Sequence, residues 1–393
     1  MSEPHIVLLG GDGHASGVPR HITDLVGALQ GHARLTVISE PDQGGYANIS
    51  ALGAKHVALP GLASRLDPRH WRAARGALAA CLTDHPADLV WAHARMPVLA
   101  LRQLMVSGQW QPDHHGPSGT RVALTYHGLP FGRGHRPGTS TPARRIERRL
   151  LTACPPLDLV FLTPAQRDRM QAEMGEAMTG HVSHVLGNAS HLGSVSGRVP
   201  DQVSGLSRPP GRHIVMTGRV GWQKNYAAAL RLMRHLPGDV TLSLCGAGTN
   251  HPRFAQQVQR LAGAAAGRVR LLGPLPDVRP LLAQADGYML SSRYEGQPIG
   301  ALEACEYGLP LILGAFDGAT ALAEGHPLAL CLQGNRAAQV TAIDDMLTRY
   351  LADRKAYEAA IRSFWASRYA PERFATEARA LAATLLTGRI TPD

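Results

Sequence analysis

The hydrophobic residues in the first half of the chain form short continuous runs separated by amphipathic stretches. Six runs of this kind lie at residues 5–10, 34–39, 88–92, 121–126, 158–162 and 181–186. A strand covered by helices on both faces is apolar throughout, whereas a half-exposed strand alternates apolar and polar residues. The pattern therefore predicts repeated β/α units that build a doubly wound parallel sheet.

The same pattern restarts in the second half, after a segment that lacks periodicity. Residues 196–212 are rich in Gly, Pro and Ser, which is typical of a connector between domains. Beyond Ala337 the chain is predicted to be helical, and Pro371 opens a last helix that reaches about Leu386. Six apolar runs precede this tail, at 213–217, 240–245, 268–272, 287–291, 309–313 and 327–331, with helical stretches at 225–235 and 252–264.

These patterns predict an α/β protein with two Rossmann-like domains, one at 1–198 and one at 199–370. A C-terminal helical segment at 371–393 follows, and its packing against the first domain is left open. Two such domains joined by one linker leave a cleft lined by the carboxyl ends of their strands, where open α/β sheets bind ligands. Functional residues are therefore expected on the loops that follow strands.

The composition is that of a packed globular protein. Of the 393 residues, 44% are hydrophobic and 18% are charged. The five cysteines are odd in number and include no Cys-x-x-Cys pair, which predicts a reduced, cytoplasmic protein. The apolar run at 6–9 is too short for a signal peptide, and no run approaches the ~18 apolar residues of a membrane span. We therefore expect a protein that is neither exported nor integral to a membrane.

The net charge of +10 favours phosphorylated ligands, anionic membrane surfaces or nucleic acid as partners. Charge alone does not choose among these partners, and a compositional preference for arginine also accounts for much of it. Four arginines fall within residues 144–151, on a predicted helix. This segment is either a solvated helix face or a patch that holds anionic lipid headgroups or a lipid-diphosphate acceptor.

A glycine-rich loop at 10–20 lies between the first strand and the first helix. Its glycines allow tight turns, and amides at the start of a helix can hold an anion. Glu40 ends the second strand, where a dinucleotide-binding domain keeps its ribose-binding acid, so binding of NAD is one alternative. However, the glycines are spaced Gly11-x-Gly13-x-x-x-Gly17 and do not form the Gly-x-Gly-x-x-Gly pattern. The loop is therefore either a structural turn or a ligand site.

Arg219 and Lys224 follow the first strand of the second domain, where the strand gives way to a helix. A planar guanidinium and a mobile ammonium neutralise oxygens at different positions, which suits a diphosphate. The alternative is that both are solvated surface charges.

The segment at 291–310 combines a strand end, a short loop and a helix that we expect to begin near Ile299. Free amides around Gln297, Ile299 and Gly300 would then form a second anion site. Glu303 lies about one turn into that helix, within reach of ribose hydroxyls, and Glu295 lies on the loop before it. The alternative is that both are ordinary acids at a helix start, favoured by the helix dipole.

The pattern Glu295-x7-Glu303, together with the Gly218-Arg219…Lys224 segment, resembles the retaining glycosyltransferases of the GT-B fold, family GT4 and its relatives. Gly296, Pro298, Gly308 and Pro310 belong to the same resemblance, which covers almost the whole chain. Its N-terminal part rests on Ser16-Gly17-Val18, His93-Ala-Arg95, Tyr126-His127-Gly128 and Leu186-Gly187-Asn188, which occur in the family's order.

The resemblance implies a role for each of these residues. Arg219 and Lys224 would bind the donor diphosphate and act in catalysis, Glu303 would bind the ribose, and Glu295 and His127 would flank the reacting sugar. The strand end at 269–273 with Leu272 would contact the base. Further donor contacts would be Gln297, Ile299 and Gly300, and the acceptor side would include Gly13, Ser16, Gly17, His93 and Asn188.

Two positions depart from the family pattern. Gln297 stands where an aromatic residue is usual, which bears on contacts with the sugar. Asn188-Ala-Ser190 replaces the usual Asn-Gly-Ile/Val-Asp, which bears on the acceptor-side role of that turn.

The expected activity is transfer of a sugar from a UDP- or GDP-sugar to the hydroxyl of a glycan, a lipid-linked acceptor or a small molecule, in glycan, polysaccharide or glycolipid synthesis. Fixed cations and helix amides would stabilise the leaving diphosphate, so we expect no metal and no cofactor. The chain has no Asp-x-Asp motif, and no nucleic-acid partner is expected. A nucleotide-sugar epimerase or hydrolase on the same fold, or an NAD-dependent oxidoreductase, remains the alternative.

Overall fold

The computed structural model describes residues 3–63, 67–112, 119–193 and 206–388. The chain divides into two compact units. Unit 1 comprises Met1–Gly132, Pro137–Ala189 and Pro371–Asp393, and unit 2 comprises Arg133–Arg136 and Ser190–Ala370. Most of the predicted connector, at 196–205, lies outside the described residues. Its predicted end at 212 is wrong, since Arg212 already begins a strand of unit 2.

Unit 1 contains a parallel sheet of seven strands in the order β3-β2-β1-β4-β5-β6-β7 within its described residues. Six of the strands coincide with the predicted apolar runs, and β3 does not. β3 lies at the edge of the sheet and its residues are only partly buried, so it has no continuous apolar run. The strands are β1 (His5–Leu9), β2 (Arg34–Ser39), β3 (Lys55–Ala58), β4 (Leu89–His93), β5 (Arg121–Tyr126), β6 (Asp158–Phe161) and β7 (Val182–Val185).

Helices cover both faces of this sheet. The helices of unit 1 are α1 (Gly17–Leu29), α2 (Pro68–Asp84), α3 (Arg95–Val106), α4 (Ser140–Ala153), α5 (Pro164–Met174) and α13 (Pro371–Thr387), with a 3₁₀ turn at Gly175–Met178. α1 buries Ile22, Leu25, Val26 and Leu29, the i, i+3, i+4, i+7 spacing of one helix face. The C-terminal helix α13 packs on that face through Phe374, Ala378 and Leu385. The last helix of the chain therefore belongs to the core of unit 1.

Unit 2 contains a second parallel sheet, with the strand order β10-β9-β8-β11-β12-β13. Its strands are β8 (Arg212–Thr217), β9 (Val240–Cys245), β10 (Val269–Gly273), β11 (Gly287–Leu290), β12 (Leu311–Leu313) and β13 (Ala329–Cys331). Its helices are α6 (Tyr226–Met233), α7 (Pro252–Ala262), α8 (Arg279–Ala283), α9 (Ile299–Glu306), α10 (Ala319–Ala323), α11 (Arg336–Ala352) and α12 (Arg354–Tyr369), with a 3₁₀ segment at Gly263–Arg268. α9 begins at Ile299, as the sequence predicts.

In each unit the first strand lies beside the fourth, so that β1 pairs with β4 and β8 pairs with β11. The second and third strands of each unit lie on one side of the first strand, and the fourth strand lies on its other side. The loops that follow the first and fourth strands therefore lead away from each other. The crevice that opens there, outside the carboxyl ends of the strands, is where open α/β sheets bind ligands. Among the described residues, no helix combines the length and the apolar character needed to cross a membrane.

Candidate functional site

The loop that follows β8 is shaped by glycines at the strand ends. Gly218 has φ +138°, and a Cβ there would lie 2.8 Å from Lys224 Cε. Gly246, at the end of β9, also has φ +138°, and a Cβ there would overlap the backbone of Gly218. A side chain at either position would be strained and would displace its neighbour. The two glycines therefore allow the loop and the Lys224 side chain to lie close against the strand ends.

Lys224 forms an ion pair with Glu295 across the point where β8 adjoins β11. Lys224 Nζ lies 2.8 Å from Glu295 Oε1, and the two side chains are 23% and 7% exposed. Ser292 Oγ also donates to Glu295 Oε1 at 2.6 Å, and Gln223 Nε2 donates to Glu295 Oε2 at 3.0 Å. The carboxylate is thus held by three donors. An ammonium has three N–H donors, so Lys224 retains donors for an anionic ligand while its position is fixed.

Arg219 lies on the same loop, five residues before Lys224 in the chain. Its side chain is exposed, and the described part of the chain holds no ion-pair partner for it. An unpaired guanidinium beside an oriented ammonium can bind two oxygens of one diphosphate. Both cations therefore lie on the loop between β8 and α6.

The N-terminus of α9 follows Glu295 in the chain. Pro298 is its N-cap and supplies no side-chain cap bond, so the amides of Ile299 and Gly300 have no acceptor within the described residues. Gly300 packs tightly: a Cβ there would overlap Tyr288 Oη and lie 2.7 Å from Thr217 Oγ1. Orphan amides at the start of a helix attract anions. These amides follow β11, and Arg219 and Lys224 follow the neighbouring strand β8.

The remaining predicted donor residues lie on neighbouring segments of unit 2. Glu303 is half-buried in α9, and its charge adds to burial in raising the pKa of the Cys245 thiol at the end of β9. Leu272 is half-buried in β10, beside β9, and Gln297 is half-buried just before α9. Glu303 is therefore within electrostatic range of the β9 strand end.

The glycine loop of unit 1 is tied to the segment that follows β2. Gly13 O accepts the amides of Gln43 and Gly45, both at 2.9 Å. Ser16 is the N-cap of α1 but makes no side-chain cap bond, and Gly17 is the first residue of that helix. Glu40 accepts from the amides of Gly61 and Ala63 at 2.8 Å each, so its carboxylate is used to hold a loop.

His93 and His127 are brought together in unit 1, and a third histidine joins them. His93 ends β4, His127 directly follows β5, and His21 reaches them from α1. Asn188, predicted on the acceptor side, holds the ring of His21 through Oδ1 at 2.9 Å from Nδ1. Sequence reasoning missed His21 because it falls on the apolar face of α1, where a histidine has no distinguishing pattern. Its signal is visible only in three dimensions.

Burial governs the protonation of this histidine cluster, defined as His21, His93 and His127. Burial lowers the pKa of His21 to about 4, although Asn188 opposes the shift. Burial, followed by the proximity of the other two histidines, holds the pKa of His93 well below its ordinary value. Burial and the charge of His21 do the same for the pKa of His127. All three rings are therefore neutral near pH 7.

The residue after His93 has a strained backbone. Ala94 has φ 67° and ψ 161°, a region that glycine occupies and L-residues avoid. Such a conformation costs about 1–3 kcal/mol and is retained where the surrounding structure imposes it. The strain lies where β4 turns directly into α3, next to the histidine cluster.

Comparison with protein families gives a match within unit 2. Residues 211–349, which belong to unit 2, match the family model described as Glycosyl transferases group 1. Curated protein sequences gave no significant match.

Solved structures resemble this chain over nearly its whole length. HepE of Anabaena in complex with UDP-glucose has a TM-score of 0.74 and 14% identity, and the alignment covers 97% of this chain and 100% of that one. Sucrose-phosphate synthase of Thermosynechococcus elongatus has a TM-score of 0.75 and 17% identity, with 98% and 100% covered. WaaG, a glycosyltransferase involved in lipopolysaccharide biosynthesis, has a TM-score of 0.67 and 17% identity, with 98% and 100% covered. These likenesses confirm the predicted α/β GT-B fold.

Proposed function

We propose that the protein is a retaining glycosyltransferase of the GT4 type, which moves a sugar from a nucleoside-diphosphate sugar to an acceptor hydroxyl. The proposal rests on the cations and free backbone amides that follow the carboxyl ends of β8 and β11. These groups are the exposed Arg219, the oriented Lys224 and the orphan amides of Ile299 and Gly300. The match of residues 211–349 to group 1 glycosyltransferases supports the same conclusion.

The proposed chemistry follows from the charge that develops on the leaving group. As the bond from the anomeric carbon to the diphosphate oxygen breaks, negative charge grows on the diphosphate, and cations and amides fixed beforehand stabilise it without reorganisation. The acceptor hydroxyl attacks the anomeric carbon from the face that the diphosphate leaves, and a phosphate oxygen takes the hydroxyl proton. The configuration is thereby retained. No metal is assigned to the diphosphate in this proposal.

The other residues take supporting roles. Glu295 holds Lys224 in position through the 2.8 Å ion pair and lies beside the transferred sugar, with Gln297 next to it. Glu303 binds the ribose, and Leu272 contacts the base. In unit 1, His127 is assigned to contact with the reacting sugar. The residues assigned to the acceptor are Gly13, Ser16, Gly17, His93 and Asn188.

The proposed sugar donor is a UDP-sugar or a GDP-sugar. HepE was solved with UDP-glucose, which makes UDP the first ligand to test. Thermal-shift measurements with UDP, GDP, ADP and NAD would rank them, because a ligand that binds only the folded state raises the unfolding temperature. Stabilisation by NAD alone would instead favour the oxidoreductase.

The decisive variant is Arg219→Ala. Removing one electrostatic contact to a leaving group typically lowers kcat by about 10²–10³-fold, and we expect that loss in the rate of donor consumption. Arg260→Ala, an exposed arginine on α7, is the matched control and should retain turnover. Near-normal turnover by the Arg219 variant would contradict the proposal.

Donor consumption with and without acceptor separates the transferase from its alternatives on the same fold. A hydrolase or epimerase would consume the nucleotide sugar without an acceptor hydroxyl. The oxidoreductase is disfavoured by Glu40, whose Oε1 accepts the amides of Gly61 and Ala63 and so holds a loop of the protein.

We further propose a cytoplasmic enzyme that works in glycan, polysaccharide or glycolipid synthesis, with peripheral contact to anionic membrane as an open alternative. On α4, Arg145 and Arg149 are exposed, and Ile146 between them is 51% exposed. Arg144 is partly neutralised by Glu173 at 2.9 Å. A basic face with an apolar side chain suits a lipid headgroup layer. Salt-sensitive flotation with anionic vesicles would support contact, and its absence would leave a solvated helix face.

A further inference from the structure

The histidine cluster has the spacing of a metal site. The ring centroids of His21, His93 and His127 are separated by 4.8, 5.5 and 5.6 Å. Three imidazoles bound to one tetrahedral zinc ion, with Zn–N distances of about 2.0–2.1 Å, place their centroids roughly 5 Å apart. One nitrogen of each ring lies within 4.8 Å of the other two. The nitrogens around a zinc ion are roughly 3.3 Å apart, so the most widely separated pair needs to approach by up to about 1.5 Å.

Two of the three rings, His21 and His93, have a buried nitrogen available as a ligand, while His127 Nε2 lies 3.4 Å from His93 Nδ1. Asn188 Oδ1 accepts only, so its bond to His21 Nδ1 places the proton there and leaves the lone pair on His21 Nε2. That Nε2 is buried and has no hydrogen-bond partner within the described residues, and the same holds for His93 Nε2. A buried polar atom without a partner is unfavourable, and a bound ion would remove that cost.

The second partner of the His21 ring also fits a metal site. Metal-bound histidines commonly donate their other N–H to an oxygen acceptor, which fixes the tautomer and the orientation of the ring. Asn188 performs this role for His21. Apolar rings pack around the cluster, with Phe374 against His21 at 5.5 Å and Trp91 against His93 at 5.4 Å. They exclude water from two of the three imidazoles.

We propose that the histidine cluster binds one divalent transition-metal ion of the zinc class through three imidazole nitrogens. The set of ligands is entirely imidazole, which suits zinc, cobalt, nickel and copper, whereas magnesium and calcium require oxygen ligands. His127 is only partly buried, so a fourth ligand from solvent would be able to reach the ion on that side of the cluster. The ligands come from α1, from β4 and from the residue after β5, and the ion therefore cross-links three elements of unit 1.

The test is titration of the metal-free full chain with Co²⁺, followed by competition with Zn²⁺, in the absence of any sugar nucleotide. It is therefore independent of the proposed transferase activity. We expect one equivalent of Co²⁺ with the visible absorption bands of tetrahedral coordination, lost on addition of Zn²⁺. Zn²⁺ should also raise the unfolding temperature by several degrees when it is present well above its Kd.

Variants distinguish the cluster from the other histidines. His21→Ala should weaken Co²⁺ binding more than about 100-fold, and His32→Ala, at an exposed position, should leave it unchanged. Asn188→Leu keeps all three ligands and should weaken binding by about 10–100-fold, which provides a second test if His21→Ala does not fold. The proposal is overturned if Co²⁺ gives no tetrahedral spectrum, or if binding by the His21 or Asn188 variant equals that of the wild type.

Discussion

Replacing Gly300 by alanine tests whether the N-terminus of α9 is part of a phosphate site. The added Cβ would lie 2.7 Å from Thr217 Oγ1 and closer still to Tyr288 Oη, whereas ordinary contact begins at 3.4 Å. The start of α9 or the two contacted hydroxyl groups must therefore move by at least about 0.7 Å, because van der Waals repulsion rises steeply at shorter distances. Thr217 and Tyr288 are themselves joined by a 2.7 Å hydrogen bond, so neither can yield freely.

A shift of that size would misalign the amides of Ile299 and Gly300 with a bound phosphate. A hydrogen bond to a charged group contributes about 1.5–3 kcal/mol, so the loss of one should weaken nucleotide binding by about 10–150-fold. Isothermal titration with the nucleotide that gives the largest thermal shift would measure this loss. Gly238→Ala is the control, since a Cβ at Gly238 meets nothing within 4 Å.

A companion variant tests the steric cause. Tyr288→Phe removes the hydroxyl that the new Cβ would overlap, so Tyr288→Phe with Gly300→Ala should recover part of the lost affinity. Recovery should be incomplete, because Thr217 Oγ1 remains at 2.7 Å. If Gly300→Ala alone binds the nucleotide as tightly as the wild type, the assignment of the α9 amides to the diphosphate is refuted.

Three further predictions concern stability. Glu147→Leu should lower the free energy of unfolding of unit 1 by about 3–5 kcal/mol in urea, because it leaves the buried Arg102 charge without its partner. Arg102 donates to the Glu147 carboxylate at 2.5 and 3.0 Å. Adding Arg102→Met to the Glu147 variant should recover much of the lost stability. Ala94→Gly should stabilise unit 1 by about 1 kcal/mol, since glycine relieves the strain at φ 67°, and a lower unfolding temperature would contradict this. Burial lowers the pKa of both His213 and His326 to about 4 in unit 2. Below about pH 6.5 the unfolded chain binds more protons at these positions, so stability should fall by about 1.4 kcal/mol per pH unit for each histidine until about pH 4, and a flat profile between pH 7.5 and 5.5 would refute this.

The predicted strands were recovered wherever a strand is buried on both faces. Strands such as β1 and β9 are fully buried, and a continuous apolar run is sufficient to identify them. β3 was missed because an edge strand keeps polar residues, and its sequence does not differ from that of a loop. The C-terminal helix was predicted with nearly the observed bounds, but the apolar face that it shares with α1 could not be assigned from its own sequence.

The placement of the candidate donor-site residues was predictable because these residues follow strands. Arg219, Lys224, Glu295 and the start of α9 all lie at carboxyl ends of parallel strands, which meet at one edge of the sheet. The ion pair between Lys224 and Glu295 joins residues 71 positions apart. Its existence depends on the adjacency of β8 and β11, which the strand order decides.

The sequence by itself determined that two parallel sheets form and which loops carry charge. The periods of apolar residues and the positions of glycine are local properties, and local patterns decide which segments become strands, helices and turns. Only the tertiary structure decided that His21, on the inner face of a helix, meets His93 and His127. Such contacts depend on how helices pack on a sheet. The sequence around a histidine on an apolar helix face does not reveal whether its neighbours are leucines or other histidines.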